Sequence, residues 1–121
     1  MKKILIVDDA TTSRKVVKNV LGDLDVDFGE AKNGEEGIEQ AKNGNFDIIV
    51  SDVNMPGMLG TEMIQKIREF DHCKETIIIM LTTEVDEELR DIGKQCGVKL
   101  WITKPFDKEK FVGVMKKLIE S

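Results

Sequence analysis

The run Ile4-Leu5-Ile6-Val7-Asp8-Asp9 decides the fold. Four consecutive apolar residues, two of them isoleucine, predict a short strand covered on both faces, as in a parallel sheet. The run then stops on two adjacent acids. Neighbouring carboxylates repel, and burying either one costs several kcal/mol unless it is paired. Something later in the sequence must offset that cost.

Working outward, four more segments read as strands: residues 26–30, 46–51 (FDIIVS), 77–81 (IIIML) and 100–103 (LWIT). The clear ones are continuous and β-branched, with no apolar–polar alternation, which again favours parallel pairing. Between them the period changes to that of a helix. Val16, Val17, Val20, Leu21 and Leu24 share one stripe, with Thr12 or Ser13 as the cap. Further helices are expected over residues 35–42, 61–70, 86–96 and 107–120, the first of these closed by Asn43-Gly44. Strand and helix alternate five times. That order predicts an α/β domain with a five-stranded parallel sheet and helices on both faces.

The bulk properties narrow the function. A chain of 121 residues with 40% hydrophobic content suits one domain with a substantial core. There are 23 acidic and 18 basic residues, a net charge of -5. This acidic balance argues against a nucleic-acid binder, which needs a basic footprint. No apolar run approaches membrane-spanning length, and the apolar stretch after Met1-Lys2-Lys3 ends at Asp8, too early for a signal peptide. A cytoplasmic protein is expected. Cys73 and Cys96 form no CxxC pair and are expected to be reduced, and the lone His72 is expected in a surface loop.

Ligand sites in open parallel sheets form at the carboxyl ends of the strands. Those ends here carry Asp8-Asp9, Asp52, Thr82-Thr83 and Lys104-Pro105. Taken singly, each has an ordinary reading. Asp8 or Asp9 could cap a helix, Asp52 could open the turn at Met55-Pro56-Gly57, Thr82 could be a cap, and Lys104 could be a surface lysine. Taken together, and with strands one, three, four and five as neighbours, they place three carboxylates, a hydroxyl and an ammonium on one edge. A hard divalent cation removes the repulsion among the acids, and Mg²⁺ suits a site with one or two carboxylates and several waters. Metal, lysine and hydroxyl could then hold a phosphoryl group transferred to Asp52 as nucleophile.

The motifs V-D-D, S-D-V-N-M-P, L-T-T and K-P-F, each placed after a predicted strand, resemble the receiver domains of two-component response regulators, and the resemblance covers the whole chain. It implies a flavodoxin-like sheet of order 2-1-3-4-5 and a single receiver domain over residues 1–121 with no output domain. It implies that Asp52 is the phosphoacceptor. Mg²⁺ would be held by Asp9, Asp52 and the Asn54 backbone carbonyl, with Asp8 acting through water. Lys104 would pair with the phosphoryl group, next to a cis Lys104-Pro105 bond. Thr82 would hydrogen-bond a phosphoryl oxygen, Trp101 would be the switch aromatic, and Asn54 and Glu84 would tune dephosphorylation.

Among receivers, the likeness is greatest to stand-alone chemotaxis regulators. The expected partners are a histidine kinase and a flagellar-motor switch protein or a phosphatase, with no nucleic acid and no membrane, and the chain is expected to be a monomer. Three positions depart from the pattern: Leu59 precedes Gly60 where Asp is usual, Thr83 is bulkier than the usual small residue, and Trp101 is larger than the usual Tyr or Phe.

Three other readings compete. A haloacid-dehalogenase-type phosphatase uses the same residue types, but with the nucleophile first and the acids last, the reverse of the order here. A flavin binder would use Thr11-Thr12-Ser13 as a phosphate cradle, which Asp8-Asp9 would repel. A phosphorelay intermediate would share every motif and differ only in where the phosphoryl group goes next.

Overall fold

The alternating pattern folds as a three-layer α/β/α sandwich. The computed structural model describes residues 1–120. In chain order the elements are β1 (Lys2–Val7), α1 (Thr11–Val20), β2 (Val26–Ala31), α2 (Gly34–Asn43), β3 (Ile48–Ser51), α3 (Gly60–Ile67), a 3₁₀ turn at Asp71–Cys73, β4 (Ile77–Thr82), α4 (Glu87–Gln95), β5 (Val98–Thr103) and α5 (Lys108–Glu120). All strand pairs are parallel, in the order β2-β1-β3-β4-β5.

Each strand sends alternate residues to opposite faces, which splits the core in two. Leu5, Val7, Ile49, Ile78 and Met80 pack under α2, α3 and α4 with Ala41, Met63, Ile64 and Ile67. Ile4, Ile6, Ile48, Val50, Ile79 and Leu81 pack under α1 and α5 with Val17, Leu21, Phe111 and Met115. The continuous apolar runs follow directly, because both faces of β1, β3 and β4 are covered.

Element boundaries differ from expectation where local chemistry intervenes. The first helix begins at Thr11 after Ala10, which has no side-chain cap, so neither Thr12 nor Ser13 is the N-cap. Leu24 lies past the end of α1 yet packs on the same core. β3 starts at Ile48, because the Phe46–Asp47 segment is held as a connection: Asp47 N–H donates to the Lys3 carbonyl and its carboxylate accepts from Lys3 N–H. Gly44 does cap α2, its N–H donating to the Gln40 carbonyl. Asn33 and Asp86 cap the starts of α2 and α4 through their side chains.

His72 is exposed at the surface, as expected. It lies in the 3₁₀ turn, with Nε2 2.8 Å from the Ala41 carbonyl at the end of α2. Cys73 and Cys96 are both free thiols. Burial pushes both above their usual pKa, so they stay protonated.

One cation organises the edge of the sheet opposite the strand ends. Arg68, just past α3, donates to the carbonyls of Cys73 (2.7 Å), Thr76 (2.8 Å) and Cys96 (2.9 Å), with longer bonds to Lys74 and Gly97. These bonds tie the ends of α3 and α4 to the segment leading into β4. Gly97, at φ 79°, supplies the left-handed turn this closure needs.

Two glycines give opposite expectations. A Cβ on Gly60 would lie 2.1 Å from the Asp52 carbonyl oxygen, a backbone atom that cannot swing aside. Gly60→Ala is therefore expected to lose about 1–3 kcal/mol in urea unfolding. A Cβ on Gly113, inside α5, meets nothing within 4 Å. Gly113→Ala is expected to gain about 0.5–1 kcal/mol in the same assay.

Candidate functional site

The strand order places the carboxyl ends of β1, β3, β4 and β5 side by side. Asp8 is fixed on every side. Its N–H donates to the Ala31 carbonyl at 3.1 Å, and its Oδ1 accepts from Ala10 N–H at 2.9 Å. Its Oδ2 accepts from Lys104 Nζ at 2.9 Å. The residue is 6% exposed, and this buried acid at the end of β1 is paired with the ammonium at the end of β5.

Lys104 reaches the second acid as well. Its Nζ stands 3.4 Å from Asp52 Oδ2. The other carboxylate oxygen of Asp52 accepts from Val53 N–H at 2.7 Å, from Asn54 N–H at 3.3 Å and from Thr82 Oγ1 at 2.5 Å. Asp52 is thus held by one ammonium, two backbone amides and one hydroxyl. Gly60 lies directly against its backbone, and Ser51 Oγ donates to its carbonyl at 2.7 Å.

Burial pulls the Lys104 pKa down, but the hydrogen bond and charge of Asp8, and then of Asp52, outweigh it. The net result lies above the ordinary lysine value, so the group is an ammonium throughout the neutral range. The cis Lys104-Pro105 bond is present as expected.

Asp9 differs from Asp8. It is exposed, and no hydrogen bond or ion pair holds its carboxylate among the described residues. Asn54 is also exposed, two residues past Asp52. Among the described residues no three Asp, Glu, His or Cys side chains close on one point as a formed metal cluster. The present arrangement is two acids sharing one lysine, with a third acid free at the rim. All three acids offer hard oxygens, two of them already drawn towards a cation, which is the donor chemistry a Mg²⁺ ion takes.

Thr82 leads away from the site. It is fully buried, and while its hydroxyl donates to Asp52 it accepts from Glu84 N–H at 3.1 Å. The Glu84 carbonyl in turn accepts from Trp101 Nε1 at 2.9 Å. Thr82 is therefore already engaged with Asp52, and Trp101 is already drawn under the β4–α4 loop, half-buried against Gly93 of α4. Arg90 lies over its ring at 5.8 Å. The Glu84 carboxylate accepts from Val85 and Asp86 N–H at 3.1 Å each, so it braces its own loop. Thr83 is exposed at the mouth.

One residue at the site escaped the sequence reading. Arg14 donates through Nη1 to the Asp8 carbonyl at 2.6 Å, through Nη2 to Thr11 Oγ1 at 3.2 Å and through Nε to Glu30 at 3.1 Å. A signal existed. Arg14 sits one turn into α1, where a cation opposes the helix dipole and so calls for a compensating partner.

A doubly wound sheet with acids, hydroxyl and lysine gathered at its carboxyl edge defines a flavodoxin-like α/β domain with a receiver-type site. The chain belongs to the response regulator receiver domain family, whose model matches residues 4–116. It is 40% identical to chemotaxis protein CheY-3 of Vibrio cholerae over 96% of this chain and 93% of that one. It is 35% identical to chemotaxis protein CheY of Pseudomonas aeruginosa over 98% and 96%. Among solved structures, the chemotaxis response regulator CheY4 of Vibrio cholerae superposes with a TM-score of 0.88 at 37% identity, covering 98% of both chains.

The lysine bridge has a defined pH signature. Because the folded pKa of Lys104 is raised, its stabilisation is whole below 10.5, the ordinary lysine value, and is lost as pH rises through the folded value. Lys104→Met is expected to lose about 3 kcal/mol at neutral pH, the low end for breaking a buried pair. In urea titrations the gap between the two proteins stays level up to that value and narrows above it.

Proposed function

We propose that this receiver takes a phosphoryl group on Asp52 from a phosphohistidine of a histidine kinase and carries it as a signal. The observation that supports this best is the bridge of Lys104 between Asp8 and Asp52, made by residues 96 and 52 positions apart in sequence. In the transfer, an Asp52 carboxylate oxygen forms a bond to phosphorus as the bond from phosphorus to the imidazole nitrogen breaks. The nitrogen keeps that electron pair. Lys104 pairs with the incoming phosphoryl oxygens, and the Thr82 hydroxyl turns its hydrogen bond onto one of them.

The residues that would hold Mg²⁺ are Asp9, Asp52 and the Asn54 backbone carbonyl, with Asp8 acting through water. A bound Mg²⁺ supplies positive charge that offsets the negative charge of the transferring group. Asp52, Lys104 and Thr82 act only on the domain's own phosphoryl group, so the protein is a switch with self-directed chemistry. Asn54 and Glu84, two residues beyond Asp52 and Thr82, set how readily water reaches the aspartyl phosphate.

The output follows the hydrogen-bond chain already described. Phosphorylation adds about −1.5 to −2 charge and new acceptor oxygens. Thr82 responds, and Thr82 is joined to Trp101 through the Glu84 peptide. The surface of α4, β5 and α5 therefore shifts its population between two packings. We assign the signal to chemotaxis, with a flagellar-motor switch protein as the recipient on that surface. The chemotaxis names of the relatives at 35–40% identity support this assignment. The protein acts as a cytoplasmic monomer.

The test uses the single tryptophan. With Mg²⁺ and acetyl phosphate, intact mass is expected to rise by one phosphoryl group and Trp101 emission to change. Asp52→Asn is expected to show neither effect. Thr82→Ala is expected to take the phosphoryl group but to lose the emission change. An adduct of unchanged yield on Asp52→Asn removes Asp52 as the acceptor.

A further inference from the structure

Asp9 presents a problem of placement. Its side chain has no partner, yet the proposed function needs it aimed at the same point as Asp52. With no side-chain bond available, its direction is set by the backbone that carries it. The peptide unit joining Asp8 to Asp9 has one acceptor, the Asp8 carbonyl, and that oxygen accepts from Arg14 Nη1 at 2.6 Å. Arg14 is itself held. Its Nε is paired with Glu30 on β2 at 3.1 Å, and Lys18 reaches the other oxygen of the same carboxylate at 3.1 Å. Its Nη2 reaches Thr11 at the first position of α1.

A planar guanidinium with three fixed contacts on β2, α1 and the β1–α1 loop leaves that peptide little freedom to rotate. The Arg14 side chain is 13% exposed, and its bond to the Asp8 carbonyl is partly buried, so water competes least for that contact. The Lys18 hydrogen bond, ahead of the bond and charge of Arg14, lowers the Glu30 pKa despite some desolvation, so the anchor stays charged at neutral pH.

We infer that Arg14 is a positioning residue for the divalent cation: through the Asp8–Asp9 peptide it orients Asp9 towards Asp52. This rests on the assignment of Asp9 and Asp52 as the Mg²⁺ acids. It also opposes simple electrostatics in sign. Arg14 is a cation beside an acidic cluster, so as a charge alone its removal should strengthen Mg²⁺ binding. As a positioning residue its removal should weaken it. Lysine keeps the charge but not the three-pronged geometry.

The experiment is calorimetric titration with Mg²⁺ alone, at fixed ionic strength, on the wild type, Asp9→Asn, Arg14→Gln and Arg14→Lys, each checked by urea unfolding. Asp9→Asn is expected to lose measurable binding. Both Arg14 variants are expected to bind about tenfold more weakly, the scale of losing an outer support of a metal ligand. In Arg14→Lys the urea midpoint should stay near wild type, which separates placement of Asp9 from general loosening. If Asp9→Asn loses Mg²⁺ while either folded Arg14 variant binds as tightly as wild type or tighter, the role given to Arg14 is wrong and the acid assignment stands. If Asp9→Asn binds like wild type, the acid assignment fails and the role of Arg14 fails with it.

Discussion

The Lys104 ammonium, held between Asp8 and Asp52, is the interaction on which the rest of the domain turns. It allows a buried strand to end on an acid, and it ties the last strand of the sheet to the first and third across β4. Both acids are mostly buried, where an uncompensated carboxylate costs several kcal/mol. The pairing therefore acts on the fold and on the chemistry together. The cation that makes Asp8 tolerable is also the one that reaches Asp52, the proposed phosphoacceptor.

The two-sided core makes that placement possible. Residues 4 to 7 of β1 bury alternately under opposite helix layers, so the strand cannot slip by one position without exchanging its two faces. The parallel register carries the same constraint to β3, where Val7 pairs with Ser51 and the next residue on each strand is an acid. Close packing at Gly60 then fixes the height of the Asp52 backbone. The site is as precise as the packing beneath it.

Most of this was legible in the sequence because the signals were local and chemical. Unbroken runs such as IIIML announced covered strands, and polar residues at four strand ends announced the edge where they meet. The strand order came from family resemblance, since alternation of strand and helix permits several orders. What escaped was non-local and carried by the backbone. The contact of Arg14 with the Asp8 carbonyl depends on where β2 sets Glu30, which no periodicity reveals. α1 starts earlier than a Thr12 or Ser13 cap implies, at Thr11, with no side-chain cap at Ala10, whose own N–H donates to Asp8 Oδ1. The contact of His72 with the Ala41 carbonyl spans 31 residues and leaves no local signal. The resemblance points to Trp101 as the switch aromatic, but the bond of its indole to the Glu84 carbonyl spans 17 residues and leaves no local signal.

Arg68 gives the two ends of the domain different chemical characters. At the strand ends, cohesion comes from carboxylates and an ammonium, groups whose charge acid or base can erase. At the opposite edge, Arg68 grips five peptide oxygens, and no carboxylate lies within ion-pairing distance of it among the described residues. Amide oxygens do not titrate in the accessible range, and guanidinium gives up its proton only in strong base. The bonds at one pole thus depend on charges that protons can remove, while those that Arg68 makes at the other do not.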